Sequence, residues 1–355
     1  MEVVRRRRLA EENLGRALAG VLVAALAVAL SGCSGDEPET APPPVQRFAG
    51  QIAEAGGDGV IVFVSDDGRE FEATAGARPH GPGDRFRVGS VTKTFTAAIV
   101  LQLVEEGRLE LCDTIEEHLP GVVPSGGSIT IRQLLSHRSG LANMTDFPAW
   151  LDEVSRSPST RPVDTLRYAA WQPMAFRPGT EWGYSNTNYI ALGLIVEKVT
   201  GETYGAQLEK RILEPLGLDD TKLPTSRQVE GLQDAGENPN VPWAAGAIVS
   251  TTRDLARFYS ALLDGEVVSD DSLATMQKGT VVDPAAGLTS GLGIFSYDLA
   301  CGRAWGHDGG IMDYATLVRA SEDGERVAVV SVHGGAPTGE PPDASALLCP
   351  KAAAG

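Results

Sequence analysis

The stretch 88-VGSVTKTF-95 places a serine and a lysine three residues apart where an apolar helix begins. Residues i and i+3 share one helix face, so Ser90 and Lys93 set a hydroxyl beside an amine. Downstream, Phe95, Ala98, Ile99 and Leu103 are apolar on one side, while Ala97, Val100, Leu101 and Val104 are apolar on the others. A helix that is greasy nearly all round lies inside a protein, here with Gly107 as its C-terminal cap. Serine is a poor nucleophile until a neighbour takes its proton, and a lysine in apolar surroundings gives up its own proton more readily. Bringing a lysine from ~10.4 to ~8 takes about 3 kcal/mol of destabilisation of its charged form, which burial supplies. The helix N-terminus also turns the Ser90 backbone N–H toward a developing oxyanion. Taken alone, the tetrad reads more simply as a capping serine followed by a surface lysine.

Outward from this helix, the pattern changes at both ends of the chain. The run 60-VIVFVS-65 is β-branched or aromatic, Asp66-Asp67-Gly68 supplies a turn, and Glu70 to Ala75 completes a hairpin. The middle reads as helices: Thr130 to Ser136, Pro162 to Trp171, Asn186 to Thr200 closed by Gly201, Tyr204 to Leu213, and a helix to Leu263 opened by a capping box at Thr251-x-x-Asp254. Strand signal returns in Leu292 to Tyr297, Ala304 to Gly306, Met312 to Arg319 and Val327 to His333, with a closing helix over about 342 to 351. Strands at both ends with helices between imply an α/β (α+β) fold. Its antiparallel sheet is built from N- and C-terminal segments, 47–118 and 285–355, with a mostly helical subdomain inserted over 119–284.

Two more constellations carry chemical potential. In 183-GYSNTN-188, Tyr184 is able to relay a proton near a lysine, and Asn186 to hold an amide by two hydrogen bonds. The plain alternative is a buried tyrosine before an ordinary Asn cap. In 305-WGHDGGIM-312, the plain version is a β-hairpin turning at Asp308-Gly309 with a flanking histidine. The sharper version puts His307 on an inner strand facing a pocket, where it meets a substrate carboxylate and donates a proton while Gly309 and Gly310 present backbone N–H groups. A rival His-x-Gly at His333 to Gly335 ends the last strand and ranks second.

Composition narrows the function classes. The formal charge of −17 comes with no basic stripe beyond the N-terminus, which argues against nucleic acid as a partner. No CxxC or HExxH spacing occurs, so neither a metal site nor a cofactor is expected. Arg5 to Arg8 and Arg16 precede an apolar run from Ala17 to Leu30, which suits a secretory signal and is short of the ~20 residues of a membrane span. That run ends Leu30-Ser31-Gly32-Cys33, which resembles the lipobox of bacterial lipoproteins. The resemblance implies a signal peptide over 1–32, lipidation of Cys33, and an address on the extracytoplasmic face of the cell membrane. The acidic, Pro-rich segment through residue 46 reads as a tether, with the folded part starting near Arg47. An oxidising compartment permits disulfides; Cys301 and Cys349 share the C-terminal segment and are expected to pair, leaving Cys112 free.

In order along the chain, Ser90-Val91-Thr92-Lys93, Tyr184-Ser185-Asn186 and His307-Asp308-Gly309 resemble the three motifs of serine D-alanyl-D-alanine carboxypeptidases and class C β-lactamases. The stretches 131-IRQLLSHRSGL-141, 177-RPGTEWGYSN-186, 214-EPLGLDDT-221 and 244-AAGAIVSTTRDLARF-258 extend the likeness over roughly residues 50 to 335. The resemblance implies an α/β sandwich with a helical subdomain and the site between them. By motif, Ser90 would be the acylated nucleophile, Lys93 and Tyr184 the proton-transfer pair with the base undecided, and Asn186 the holder of the substrate amide. Gly310 N–H would join Ser90 N–H in an oxyanion hole. The third motif departs from the usual His-Thr-Gly: Asp308 replaces a hydroxyl residue and puts an anion near the place of a substrate carboxylate, unless it points away. The expected activity is a D-alanyl-D-alanine carboxypeptidase on peptidoglycan stem peptides, acting as a monomer, with a β-lactamase or esterase as same-chemistry alternatives. A non-catalytic lipoprotein that binds wall fragments is the alternative from another class.

Overall fold

The apolar run at Val60 to Val64 is continuous because both of its faces are covered. In the computed structural model, which describes residues 39–78, 81, 83–229, 232, 238–334 and 344–349, this run is the middle of strand β1 (Gly59–Asp66). It pairs antiparallel with β2 (Arg69–Ala75) through a two-residue turn at Asp67 and Gly68, both at positive φ (50° and 75°), the geometry that matches strand twist. Helix α1 (Pro43–Glu54) precedes them, so the expected tether is shortened: the chain is helical from Pro43, where proline suits a first helical position.

The buried central helix is α2 (Thr92–Glu105), led in by a single 3-10 turn at Gly89–Val91. Its C-terminus closes as a Schellman motif: Arg108 N–H donates to Leu103 O at 2.9 Å and Gly107 N–H to Val104 O at 3.0 Å, with Gly107 at φ +66°. The threonines that interrupt its apolar surface are satisfied inside the protein. Thr94 Oγ1 bonds the Gly293 carbonyl at 2.8 Å, and Thr96 Oγ1 the Ala244 carbonyl at 2.7 Å. Helix α3 (Thr187–Thr200) ends on Gly201 at φ +76°, as its sequence required. Helix α4 (Thr252–Leu263) starts from Thr251, whose Oγ1 accepts the Asp254 N–H at 3.2 Å. The capping box is only half made, because Asp254 instead accepts from Asp220 N–H and Thr221 Oγ1 at 3.1 and 2.7 Å.

The C-terminal strands are β3 (Thr280–Asp283), β4 (Leu288–Ser290), β5 (Phe295–Leu299), β6 (Gly302–Ile311), β7 (Tyr314–Ser321) and β8 (Arg326–His333). Neighbours in the antiparallel sheet run β2-β1-β8-β7-β6-β5-β4-β3, so the N-terminal hairpin joins the C-terminal meander through β1 and β8. One face carries Val60, Val62, Ala328 and Val330 against α1 and the short helix α5 (Ser345–Leu348). The other carries Phe63, Val318, Val327 and Val329 and merges with the core of α2, α3 and α4, where Phe95 stacks on Phe258 at 3.7 Å. Helix α4 and strand β3, which the sequence placed among the inserted helices, therefore belong with the sheet. Cys301, just before β6, is bonded to Cys349, just after α5, with Cα atoms 5.6 Å apart, and Cys112 is free and exposed. Cys33, the signal segment and the ends of the expected closing helix lie outside the described residues.

Candidate active site

Ser90 stands in the 3-10 turn because the strand beside it leaves no room for a bulkier backbone. Gly89 sits at φ +53°, and a Cβ there would come within 2.8 Å of Gly310 N; a Cβ on Gly309 would overlap the Val88 carbonyl oxygen. Gly89 against Gly310, and Gly309 against Val88, thus let the Ser90 turn press on β6 backbone to backbone. In consequence Ser90 and Gly310 border the same cleft, of about 240 Å³. Asn186 borders it too, together with an apolar wall that includes Met144, Leu151, Val241, Ile311 and Met312.

Lys93 is completely buried, and its Nζ meets three uncharged oxygens: Asn186 Oδ1 at 2.7 Å, Ala245 O at 2.7 Å and Ser90 Oγ at 3.0 Å. Burial pushes its ammonium well below the ordinary lysine range. A neutral amine has two N–H donors and one lone pair. In that form Asn186 and Ala245 can take both donors and leave the lone pair for the Ser90 hydroxyl proton; as an ammonium, Nζ donates to Ser90 Oγ instead. Nζ also lies 5.0 Å from the Tyr184 ring centre. The Tyr184 hydroxyl bonds to Ser90, and burial holds it above the usual phenol range, so it is a neutral donor at physiological pH. A lowered ammonium suits Lys93 to accept a proton, and a raised phenol suits Tyr184 to donate one.

Asn186 is held in the required orientation by a residue that the sequence did not single out. Asn143 Oδ1 accepts both the Asn186 backbone N–H at 3.0 Å and its Nδ2 at 3.1 Å, which turns Asn186 Oδ1 toward Lys93. The sequence signal for Asn143 was one polar residue between Leu141 and Met144 in a loop. The Ala245 carbonyl was missed for a simpler reason: a main-chain oxygen has no sequence signature.

The third motif is arranged differently from either expectation. Strand β6 runs through His307-Asp308-Gly309 to Ile311, and the hairpin turns at Met312, φ +51°, not at Asp308-Gly309. His307 is buried and, like Lys93 and Tyr184, sits behind the residues that line the cleft. Its Nδ1 lies 2.6 Å from the Asp308 carbonyl oxygen and therefore carries the proton; Nε2, left as an acceptor, has no partner. Burial, then the nearby Lys93, pushes His307 down to about 4, so it is neutral at physiological pH. Asp308, one residue on, points to the opposite sheet face. There Arg319 grips it with both guanidinium nitrogens at 2.5 and 3.1 Å while lying 3.3 Å over the Tyr297 ring. The anion that seemed to threaten a substrate carboxylate is thus paired and turned away. No charged side chain borders the cleft among the described residues.

At the surface, Glu110, Cys112 and Asp113 gather donor atoms within 4.8 Å of one another, but their contacts are those of a loop turn, with Glu110 N–H donating to Asp113 Oδ2 at 2.8 Å.

Known proteins similar to this chain are numerous. The putative penicillin-binding protein PbpX of Bacillus subtilis is 26% identical over 70% of this chain, and the match spans 65% of that relative's length. A D-stereospecific amidohydrolase from a Streptomyces species superposes with a TM-score of 0.81 at 34% identity, covering 86% of this chain and 98% of its own. The D-amino acid amidase of Ochrobactrum anthropi, solved with D-phenylalanine, gives 0.72 at 25% identity over 82% and 91%. The family model described as Beta-lactamase matches residues 45–348. With that match running through every motif of the site, the chain belongs to the beta-lactamase family of serine hydrolases.

Proposed function

We propose that this protein hydrolyses amide or ester bonds through an acyl-Ser90 intermediate, on neutral substrates whose acyl part carries a small or apolar side chain of D configuration. The observation that carries the mechanism is the buried Lys93 Nζ, 3.0 Å from Ser90 Oγ and also bonded to Asn186 Oδ1 and Ala245 O. Ser90 Oγ attacks the carbonyl carbon as Lys93 takes its proton. The N–H groups of Ser90 and Gly310 receive the oxyanion. Tyr184 gives its proton to the departing amine or alcohol and regains one from the protonated Lys93; water then attacks the acyl carbonyl, losing a proton to Lys93, which returns it to Ser90 Oγ as the acid leaves. The apolar wall of the cleft supports an apolar acyl part, and the names of the Streptomyces and Ochrobactrum neighbours support the D configuration.

Carboxypeptidase action on D-alanyl-D-alanine stem peptides is the second reading, favoured by relatives named penicillin-binding proteins. It ranks second because no cation lines the cleft among the described residues to meet a terminal carboxylate, and burial holds His307 low. Ammonia release from D- and L-phenylalanine amide, beside D-alanine release from an acylated D-Ala-D-Ala peptide, separates the two. Cleavage of the D-amide at least tenfold faster than the L-amide, with the peptide slower still, is expected. Preference for the peptide would reverse the ranking.

We also propose an extracytoplasmic location through lipid on Cys33. The Leu30-Ser31-Gly32-Cys33 segment and the Cys301–Cys349 disulfide support it, since such bonds persist in oxidising compartments. Replacing Cys33 with alanine is expected to stop incorporation of labelled palmitate; undiminished labelling would contradict the anchor.

A further inference from the structure

The segment 131-IRQLLSHRSGL-141 contributes one residue that the reaction above does not use. His137 is buried, and its backbone lies in the left-handed region at φ +57°, uncommon outside glycine and tolerated best by Asn, Asp and His. Strain of this kind persists where surrounding structure over-determines it, and it clusters at functional sites. What surrounds His137 is the second motif. Its carbonyl accepts the Gly183 N–H at 2.9 Å, and its Nδ1 accepts the Ser185 N–H at 3.2 Å, with Asn188 Nδ2 at 3.3 Å. Its ring lies 4.4 Å from the Tyr184 ring and 5.4 Å from that of Tyr189. Tyr189 in turn bonds the Leu135 carbonyl at 2.9 Å, so the two segments are tied on both sides of the histidine.

We infer that His137 is a positioning residue, a template on which Tyr184 and Asn186 are set against Ser90 and Lys93. With Nδ1 accepting, the ring proton sits on Nε2, which is buried without a partner, so His137 is in no position to exchange protons with substrate. The left-handed backbone is the reason this template is not a larger apolar residue. A β-branched or bulky side chain would pay for that conformation, whereas the histidine fills the space behind Tyr184 and still accepts from Ser185. The inference rests on the acyl-enzyme reading only for what Tyr184 does afterwards, not for where it is held.

The test uses two substitutions in the full chain and one control. His137→Gly keeps the left-handed backbone and removes the ring and its acceptor. His137→Asn keeps the backbone and restores an acceptor. Leu347→Ala, in the separate core beneath α1, lowers stability away from the site. Displacing a proton-transfer group by about 1 Å costs on the order of 100-fold. His137→Gly is therefore expected to lose about that much in kcat on D-phenylalanine amide with KM within about threefold, His137→Asn to regain at least tenfold of it, and Leu347→Ala to keep kcat for an equal or larger drop in Tm. Independently of turnover, the 13C-tyrosine resonance lost in Tyr184→Phe should shift or broaden in His137→Gly and not in Leu347→Ala. Unchanged kcat together with an unmoved Tyr184 resonance in His137→Gly would overturn the inference. If the wild type hydrolyses none of the substrates, the acyl-enzyme reading fails, and the Tyr184 resonance still decides the role of His137.

Discussion

Lys93 concentrates the chemistry of this protein in one protonation state. Its folded ammonium is held well below 10.5 by burial, so the base form is populated at a pH where a surface lysine is charged. Activity should climb with pH through that lowered value and then level off. Stability has its own sign. The unfolded chain keeps the Lys93 proton up to about 10.4, the folded protein does not, so the unfolded state binds more protons between those limits and stability rises with pH there. Lys93→Met, similar in volume and uncharged, should lose activity on the order of 10³-fold or more while flattening the rise of Tm toward alkaline pH. A Tm profile identical to wild type would mean that Lys93 is charged in the folded protein. His307 acts at the other end of the scale: depressed to about 4, it must bind a proton on unfolding, so stability is lost as pH falls from about 6.5 toward 4.

At the scale of elements, the pairing of β6 with β7 and the approach of β6 to the nucleophile turn set the site. A methyl group at Gly309 would overlap the Val88 carbonyl, and backbone cannot yield as a flexible side chain can. Gly309→Ala should therefore destabilise by about 2–3 kcal/mol and slow acylation, with thermal unfolding and burst kinetics as the measures. Across the sheet, Arg319 and Asp308 form a pair in which the arginine is buried and the aspartate half-exposed. Arg319→Met leaves an uncompensated carboxylate, so KM should rise more for anionic than for neutral substrates. Adding Asp308→Asn should relieve that effect, with a coupling of about 1–2 kcal/mol in a double-mutant cycle of Tm-derived stabilities. Additive effects would show that the pair is incidental. These elements also mark what the sequence could and could not reveal. The β1–β2 hairpin, helix α2 and the ends of α3 were legible because turn residues, glycine caps and apolar runs act locally. The turn at Met312 was not, since Asp308-Gly309 is the stronger turn signal and the packing of glycines against Ser90 overrides it. Asn143, His137 and Arg319 matter through contacts made only once distant segments meet.

On the scale of the whole molecule, an open sheet whose N- and C-terminal parts join at β1 and β8 carries the cleft on one face and the α1–α5 layer on the other. The Cys301–Cys349 bond ties that second layer across a sequence separation of 48. Loop-closure entropy for such a span is about 4 kcal/mol, so Cys301→Ser with Cys349→Ser should lower Tm by several degrees and leave kcat within about twofold. Loss of activity in the folded double variant would tie the far layer to the site, contrary to the division of cores. The proton-transfer roles of Lys93 and Tyr184 depend on Ser90 forming a covalent acyl intermediate. Mixing the protein with the neutral p-nitrophenyl ester of N-acetyl-D-phenylalanine and following intact mass over time tests this most directly. A single adduct mapping to the peptide that contains Ser90, absent in Ser90→Ala and slowed by orders of magnitude in Lys93→Met, is the predicted result. An adduct that persists in Ser90→Ala, or hydrolysis of D-phenylalanine amide by that variant at the wild-type rate, would contradict it.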